Sequence, residues 1–151
     1  MLTKKTLYGI KAVLYLAQRT QTAVLISDIS KDEKIPKKFL ESILLELKNK
    51  GFLYSKKGKG GGYFLSPSTL QASMGTLIRI LDGPLAPVPC VSQTAYRPCE
   101  DCVSERLCGI RMVMKEVRDA MSNVLDFVTV EDMVKKVEAA SQGEQPHTYS
   151  I

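Results

Sequence analysis

All four cysteines of the 151-residue chain fall in one segment, CVSQTAYRPCEDCVSERLC, spaced Cys90-x8-Cys99-x2-Cys102-x5-Cys108. Thiolates two residues apart can share one metal, so Cys99 and Cys102 form the tightest element of the set. Structural zinc usually takes two such short-spaced pairs, and this segment has one. Iron–sulfur clusters accept cysteine thiolates at less regular spacing. Reversible thiol–disulfide chemistry is a third use of the same residues. The spacing favours an iron–sulfur cluster over zinc or thiol chemistry, and leaves all three open. The only histidine, His147, lies near the C-terminus in SQGEQPHTYSI. Ser-His-Asp and Cys-His nucleophile arrangements are thereby removed. No paired carboxylates stand in a catalytic context, so the chain is expected not to be an enzyme.

A second group of residues suits binding to phosphate. Net charge is +5, and eight lysines against two glutamates between Lys34 and Lys59 carry the whole positive excess. Such a patch can release counterions from a nucleic-acid backbone. Part of it lies on a helical pattern after Pro36, where Leu40, Ile43, Leu44 and Leu47 form the apolar stripe. Lys37, Lys38, Glu41, Ser42 and Lys48 fall on the opposite side. The rest lies in KKGKGGG, between the strand-like runs FLYS and YFLS, which is a hairpin signal. This glycine run lacks the Gly-Lys-Ser/Thr ending of a P-loop and leads into a strand. Lys56, Lys57 and Lys59, with Gly60 and Gly61, instead suit contact with DNA phosphates or the minor groove.

These residues need elements to carry them. Leu7, Ile10, Val13, Leu14 and Ala17 predict a first helix over about 4–19, with Thr3 or Thr6 as N-cap. Ser27 is expected to cap a short second helix over about 27–34, and Gly51 to end the third. Ser73 should cap a helix over about 74–82 closed by Gly83, before the stiff stretch PLAPVP. A long helix is expected over about 105–126. Ile110, Met114, Val117, Met121 and Val124 form an a/d-like seam there, reinforced by Val113, Ala120 and Leu125. Thr129, with Asp132 in capping-box position, should open a last helix over about 130–139.

Three helices followed by a basic β-hairpin are the pattern of a winged helix-turn-helix. The expected fold is mainly α with a small β-hairpin wing, followed by a long C-terminal dimerisation helix. Residues 1–83 would form the DNA-binding domain and 84–108 a cysteine-bearing sensor loop. Residues 105–140 would hold the dimerisation and last helices, and 141–151 a disordered tail. The seam predicts a homodimer, and a two-fold pair of winged helices would bind a roughly palindromic site in double-stranded DNA. The first residues, whose apolar stretch is broken by Lys11, are expected not to be a signal peptide, and no apolar run reaches membrane-spanning length. A cytoplasmic protein with reduced thiols is expected.

Over nearly its full length the chain resembles the Rrf-two family of winged-helix regulators. The resemblance is carried by LTKKTLYGIKAVLYLA, by LISDISKDEKIPKKFLESILLELKNKGFLYSKKGKGGGYFLS, and by the Cys90–Cys108 loop leading into GIRMVMKEVRDAM. It implies a homodimeric transcriptional regulator, dimerised through the long helix, whose helix near 36–50 enters the major groove and whose wing enters the minor groove. By position, Lys38, Phe39 and Glu41 match family residues that face bases. Lys57 matches an arginine that some members insert into the minor groove; a lysine there is the more strongly hydrated charge.

The family's cluster-binding members are similar in carrying three cysteines, separated by five residues and five. A fourth ligand follows three residues after the last or comes from elsewhere in the dimer. Cys90 matches the first, because DGPLAPVPC keeps the family's distance from the preceding helix, and Cys102 and Cys108 match the second and third. The gap between Cys90 and Cys102 is six residues longer than the family's, and that insertion brings Cys99. Arg111 stands where a histidine ligand is expected and cannot deprotonate to coordinate. The first helix offers no acidic residue in its place. The resemblance therefore implies an iron–sulfur site on Cys90, Cys102 and Cys108 that senses iron–sulfur, oxygen or nitric oxide status. Cys99, on the insertion that departs from the family, is expected to supply the fourth ligand of an all-cysteine [2Fe-2S] or [4Fe-4S] site. A cluster-free thiol switch on the same fold is the alternative.

Overall fold

The computed structural model describes residues 2–143; His147 and most of the tail expected to be disordered lie outside the described residues. The chain divides into two compact units. One holds the residues up to Ala72 together with those from Thr129 onward, and the other holds Ser73–Val128.

In the first unit, α1 (Lys4–Ala17) is capped by Thr3, whose hydroxyl accepts from the Thr6 N–H at 3.3 Å. Its inward face keeps Val13 and Ala17 of the expected stripe, leaves Ile10 and Leu14 half-buried, and turns Leu7 outward. Thr6, Gly9, Ala12, Val13 and Leu16 are buried, while Leu7 is 47% exposed. This face is covered by several elements of the unit, among them α3 (Lys37–Asn49), so the neighbours and not side-chain size select it. α2 (Ile26–Glu33) begins one residue earlier than expected. Ser27 therefore lies inside its first turn, and the cap position falls to Leu25, which makes no side-chain bond. Lys34 ends α2 in the left-handed conformation, with φ 55°.

The stripe of α3 lies as expected, with Leu40, Ile43, Leu44 and Leu47 all fully buried. Burying four large aliphatic side chains gives this helix its place, at about 1.5–3 kcal/mol each. Gly51, at φ 82°, ends it. β1 (Leu53–Lys56) and β2 (Gly62–Leu65) pair antiparallel, from Leu53 opposite Leu65 to Lys56 opposite Gly62. Val24 bridges to Tyr63 through two 2.8 Å backbone bonds, so the segment before α2 lies along the free edge of β2. α6 (Val130–Ser141) opens with the expected capping box, in which Thr129 and Asp132 satisfy each other's backbone N–H, and packs against α1.

In the second unit, Ser73 caps α4 (Met74–Asp82), and its hydroxyl accepts from the Thr76 N–H at 3.1 Å. The long helix, α5 (Gly109–Leu125), starts later than expected, because Glu105–Leu107 form a separate 3-10 turn and Cys108 is extended. Arg79 of α4 clamps Asp126 after α5 with two bonds, at 2.5 and 2.9 Å. The guanidinium holds the Asp126 carboxyl below the ordinary carboxylate range. A carboxylate whose folded pKa is depressed stabilises the fold above its unfolded pKa and loses that contribution as pH falls through the folded value. Asp126→Asn should therefore lower thermal stability at neutral pH, with a difference from the parent that fades on acidification below the carboxylate range. A difference that persists at low pH would show that the ion pair is not its source.

Among the described residues no helix is long and apolar enough to cross a membrane. Among the described residues, six α-helices and one two-stranded hairpin make the mainly α winged-helix fold that the sequence predicts.

Candidate nucleic-acid interface and thiol site

On α3, Lys37, Lys38, Glu41 and Ser42 are exposed on the side opposite the buried stripe. The Ser42 hydroxyl donates to the Phe39 carbonyl at 2.8 Å. Phe39 is partly exposed and edge-on to Tyr8 of α1, with ring centroids 5.6 Å apart, so its ring is steered by the helix behind it. Glu46 is taken up by Lys5 at 2.6 Å.

The wing presents Lys56, Lys57, Lys59 and Gly60 to solvent, while Gly61 is buried. A Cβ on Gly61 would run into the carbonyl oxygens of Lys56 and Gly58, so this glycine shapes the turn from within. Beside the wing, the segment Thr20–Ala23 joins Lys56, Gly60 and Phe64 around an open concavity of about 660 Å³. Sequence reasoning missed that segment, because only the Val24–Tyr63 bridge brings it to the hairpin.

All four cysteines are free thiols, with Cys99 exposed and the others half-buried. Cys99, Cys102 and Cys108 line one cavity of about 500 Å³, together with Val103, Leu107 and Ile110. Cys90 lines a neighbouring cavity of about 430 Å³, which it shares with Cys99. Cys99 thus links the two pockets. The Cys102 N–H donates to the Cys99 carbonyl at 3.2 Å and closes the CxxC turn. Partial desolvation, then the neighbouring Cys108, Glu105 and Cys99 groups, push the Cys102 thiol upward. The donor set suits a thiophilic metal centre. Among the described residues, however, no three His, Cys, Asp or Glu groups are gathered closely enough to hold an ion as they stand. The four cysteines share a loop and its cavities without forming a finished cage.

Two contacts organise this loop, and neither was legible in the sequence. The Tyr96 hydroxyl donates to Glu105, whose other oxygen lies 3.9 Å from Arg111 Nε. The Glu105 contact raises the pKa of the Tyr96 phenol. The largely buried Arg118 of α5 donates to the Val91 carbonyl at 2.6 Å, next to Cys90, while Asp119 orients its guanidinium. At the other end of the loop, Cys108 is the N-cap of α5, and its Sγ accepts from the Arg111 N–H at 3.5 Å. Both ends of the cysteine segment are thus fastened to one helix.

Arg118 aside, no side chain of α5 comes close to full burial within its own unit. Ile110 is 68% exposed, Val113, Val117 and Val124 are also exposed, and Met114 and Met121 are half-buried.

Comparison with known proteins fits this arrangement. A family model described as Rrf2, an iron-dependent transcriptional regulator, matches residues 2–136. An rrf2-like HTH-type transcriptional regulator of Rhodobacter capsulatus is 41% identical over 138 residues, covering 89% of this chain and 92% of its own. The HTH-type regulator IscR of Pectobacterium atrosepticum is 26% identical over 148 residues, covering 97% of this chain and 87% of its own. The structure of CymR, the global cysteine regulator of Bacillus subtilis, superimposes with a TM-score of 0.74 at 27% identity, covering 90% of this chain and 97% of its own. These relatives are regulators rather than enzymes, and the exposed basic helix and wing have their place in that setting: the chain belongs to the Rrf2 family of DNA-binding transcriptional regulators.

Proposed function

We propose that the protein is a homodimeric repressor that binds a roughly palindromic operator and senses iron–sulfur, redox or nitrosative status through an iron–sulfur cluster on Cys90, Cys99, Cys102 and Cys108. The observation that carries this reading is the tethered thiol loop, with four free cysteines, three of them around one cavity, at the start of α5. An iron-dependent family description supports it. Zinc suits the site less well, because only one of the cysteine intervals is short. When bound, the cluster would supply a redox-active group that reacts with oxygen or nitric oxide, in an electron-rich all-thiolate setting.

The chain's own residues do the rest. Arg118 holds the Val91 carbonyl and so fixes the Cys90 end of the loop. Cys108 caps α5, so a change in the state of its sulfur acts directly on the first turn of that helix. Lys37, Lys38, Phe39, Glu41 and Ser42 face the major groove in this reading, and Lys56, Lys57, Lys59 and Gly60 meet phosphate or the minor groove. Gly61 serves by shaping the wing turn. Ile110, Val113, Met114, Val117, Met121 and Val124 form the dimer seam.

Iron, sulfide and zinc analysis of anaerobically purified protein tests the cofactor. Stoichiometric iron and sulfide are expected in the parent, with both falling severalfold in Cys99→Ser. Substoichiometric iron in the parent, or an unchanged Cys99→Ser spectrum, overturns the ligand set. Equal operator affinity with and without the cluster would overturn the sensing role.

One observation favours a second reading. A backbone turn closed by the Cys102 N–H onto the Cys99 carbonyl sets these two cysteines at its ends. Peroxide would oxidise such a dithiol to a disulfide and be reduced to water. Free-thiol counts before and after peroxide on metal-free protein, compared with operator binding, separate this switch from the cluster.

A further inference from the structure

We infer that Leu45 of α3 reads the 5-methyl group of a thymine in the operator. The inference rests on the proposed placement of α3 in the major groove and adds to it a residue that reads sequence. Leu40, Ile43, Leu44 and Leu47 point inward and are fully buried, whereas Leu45 is 52% exposed. The core of its own unit does not use this side chain. Leu45 stands three residues after Ser42, four after Glu41 and seven after Lys38, so these four side chains form one ridge along the helix. A solitary exposed leucine is ordinary on a protein surface. This one interrupts a polar ridge on a helix whose other exposed large apolar side chain, Phe39, is held edge-on against Tyr8. Lys48, one turn on, is exposed, and Glu46 is turned aside to Lys5.

The chemistry of the major groove supplies one natural partner. Guanine, cytosine and adenine present hydrogen-bonding groups there, and only thymine adds an apolar one, its C5-methyl. Covering a methyl group with an exposed leucine removes apolar surface of both from water, which by the usual value per buried carbon amounts to about fourfold in affinity. Lys38, Glu41 and Ser42 would then position the helix or read polar edges, and Leu45 would select thymine at one step of each half-site.

The experiment uses the full chain and duplexes that it enriches from a random pool. Each thymine of the enriched sequence is replaced singly by deoxyuridine, which removes only the methyl group. Affinities are measured for the parent and for Leu45→Ala. The expected result is one thymine per half-site whose replacement weakens the parent about fourfold and leaves Leu45→Ala unchanged. Circular dichroism confirms that the variant is folded, as an exposed position predicts. The inference is overturned if every deoxyuridine substitution affects both proteins equally, or if Leu45→Ala alters self-association and not thymine preference. If the parent enriches no sequence at all, the placement of α3 in the groove fails and takes this inference with it.

Discussion

Replacing Lys56, Lys57 and Lys59 together by glutamine is expected to flatten the salt dependence of DNA binding and to weaken binding at low salt by orders of magnitude. All three lysines are exposed on a wing whose turn is shaped by a buried Gly61, so their charges project without supporting the hairpin. Each lysine that neutralises a phosphate contributes about −0.9 to the slope of log affinity against log salt. A two-fold dimer presents six such lysines. Between about 50 and 200 mM salt the parent should therefore lose roughly a thousandfold more affinity than the variant. Fluorescence anisotropy on a labelled operator measures both slopes. Equal slopes would mean that the wing does not touch the backbone, and binding would have to be sought elsewhere on the chain.

The second large effect is expected at the seam. Val117→Asp places a carboxylate in the middle of the exposed apolar side of α5. Because Val117 itself is 40% exposed, the monomer should keep its fold, and the loss should fall on association. Sedimentation is expected to show a monomer. Affinity for a two-half-site operator should fall by about a hundred- to ten-thousandfold, the scale of lost bivalency. Binding to a single half-site should change little. A variant that still sediments as a dimer would move the interface away from this helix.

How much of this could be read from sequence depends on how local the cause is. The α3 stripe was legible because Leu40, Ile43, Leu44 and Leu47 repeat with the helical period. The caps at Ser73 and Thr129 were legible because their hydroxyls act three residues away. The inward face of α1 was legible at Val13 and Ala17 only, since neighbouring elements decide which side is covered, and Thr6, Gly9 and Ala12 look unlike a core. The start of α5 was misplaced by four residues because nothing in ERLC announces an extended cysteine cap after a 3-10 turn. At the thiol site the cysteines were visible by type and spacing. The residues that hold their loop were not. Tyr96 meets Glu105 nine residues on, and Arg118 meets Val91 across twenty-seven, distances at which no periodic pattern operates.

That last contact has a thermodynamic consequence. With the Val91 carbonyl held by Arg118 and Cys108 set into the cap of α5, the residues between them form a closed loop before anything binds. The entropy of bringing the ends of a loop together grows only slowly with its length, and here it has already been spent on folding. The thiols inside therefore meet at high effective concentration. A cross-link among them, by metal or by disulfide, costs local rearrangement alone, so a small difference in bond energy can tip the loop from one state to the other.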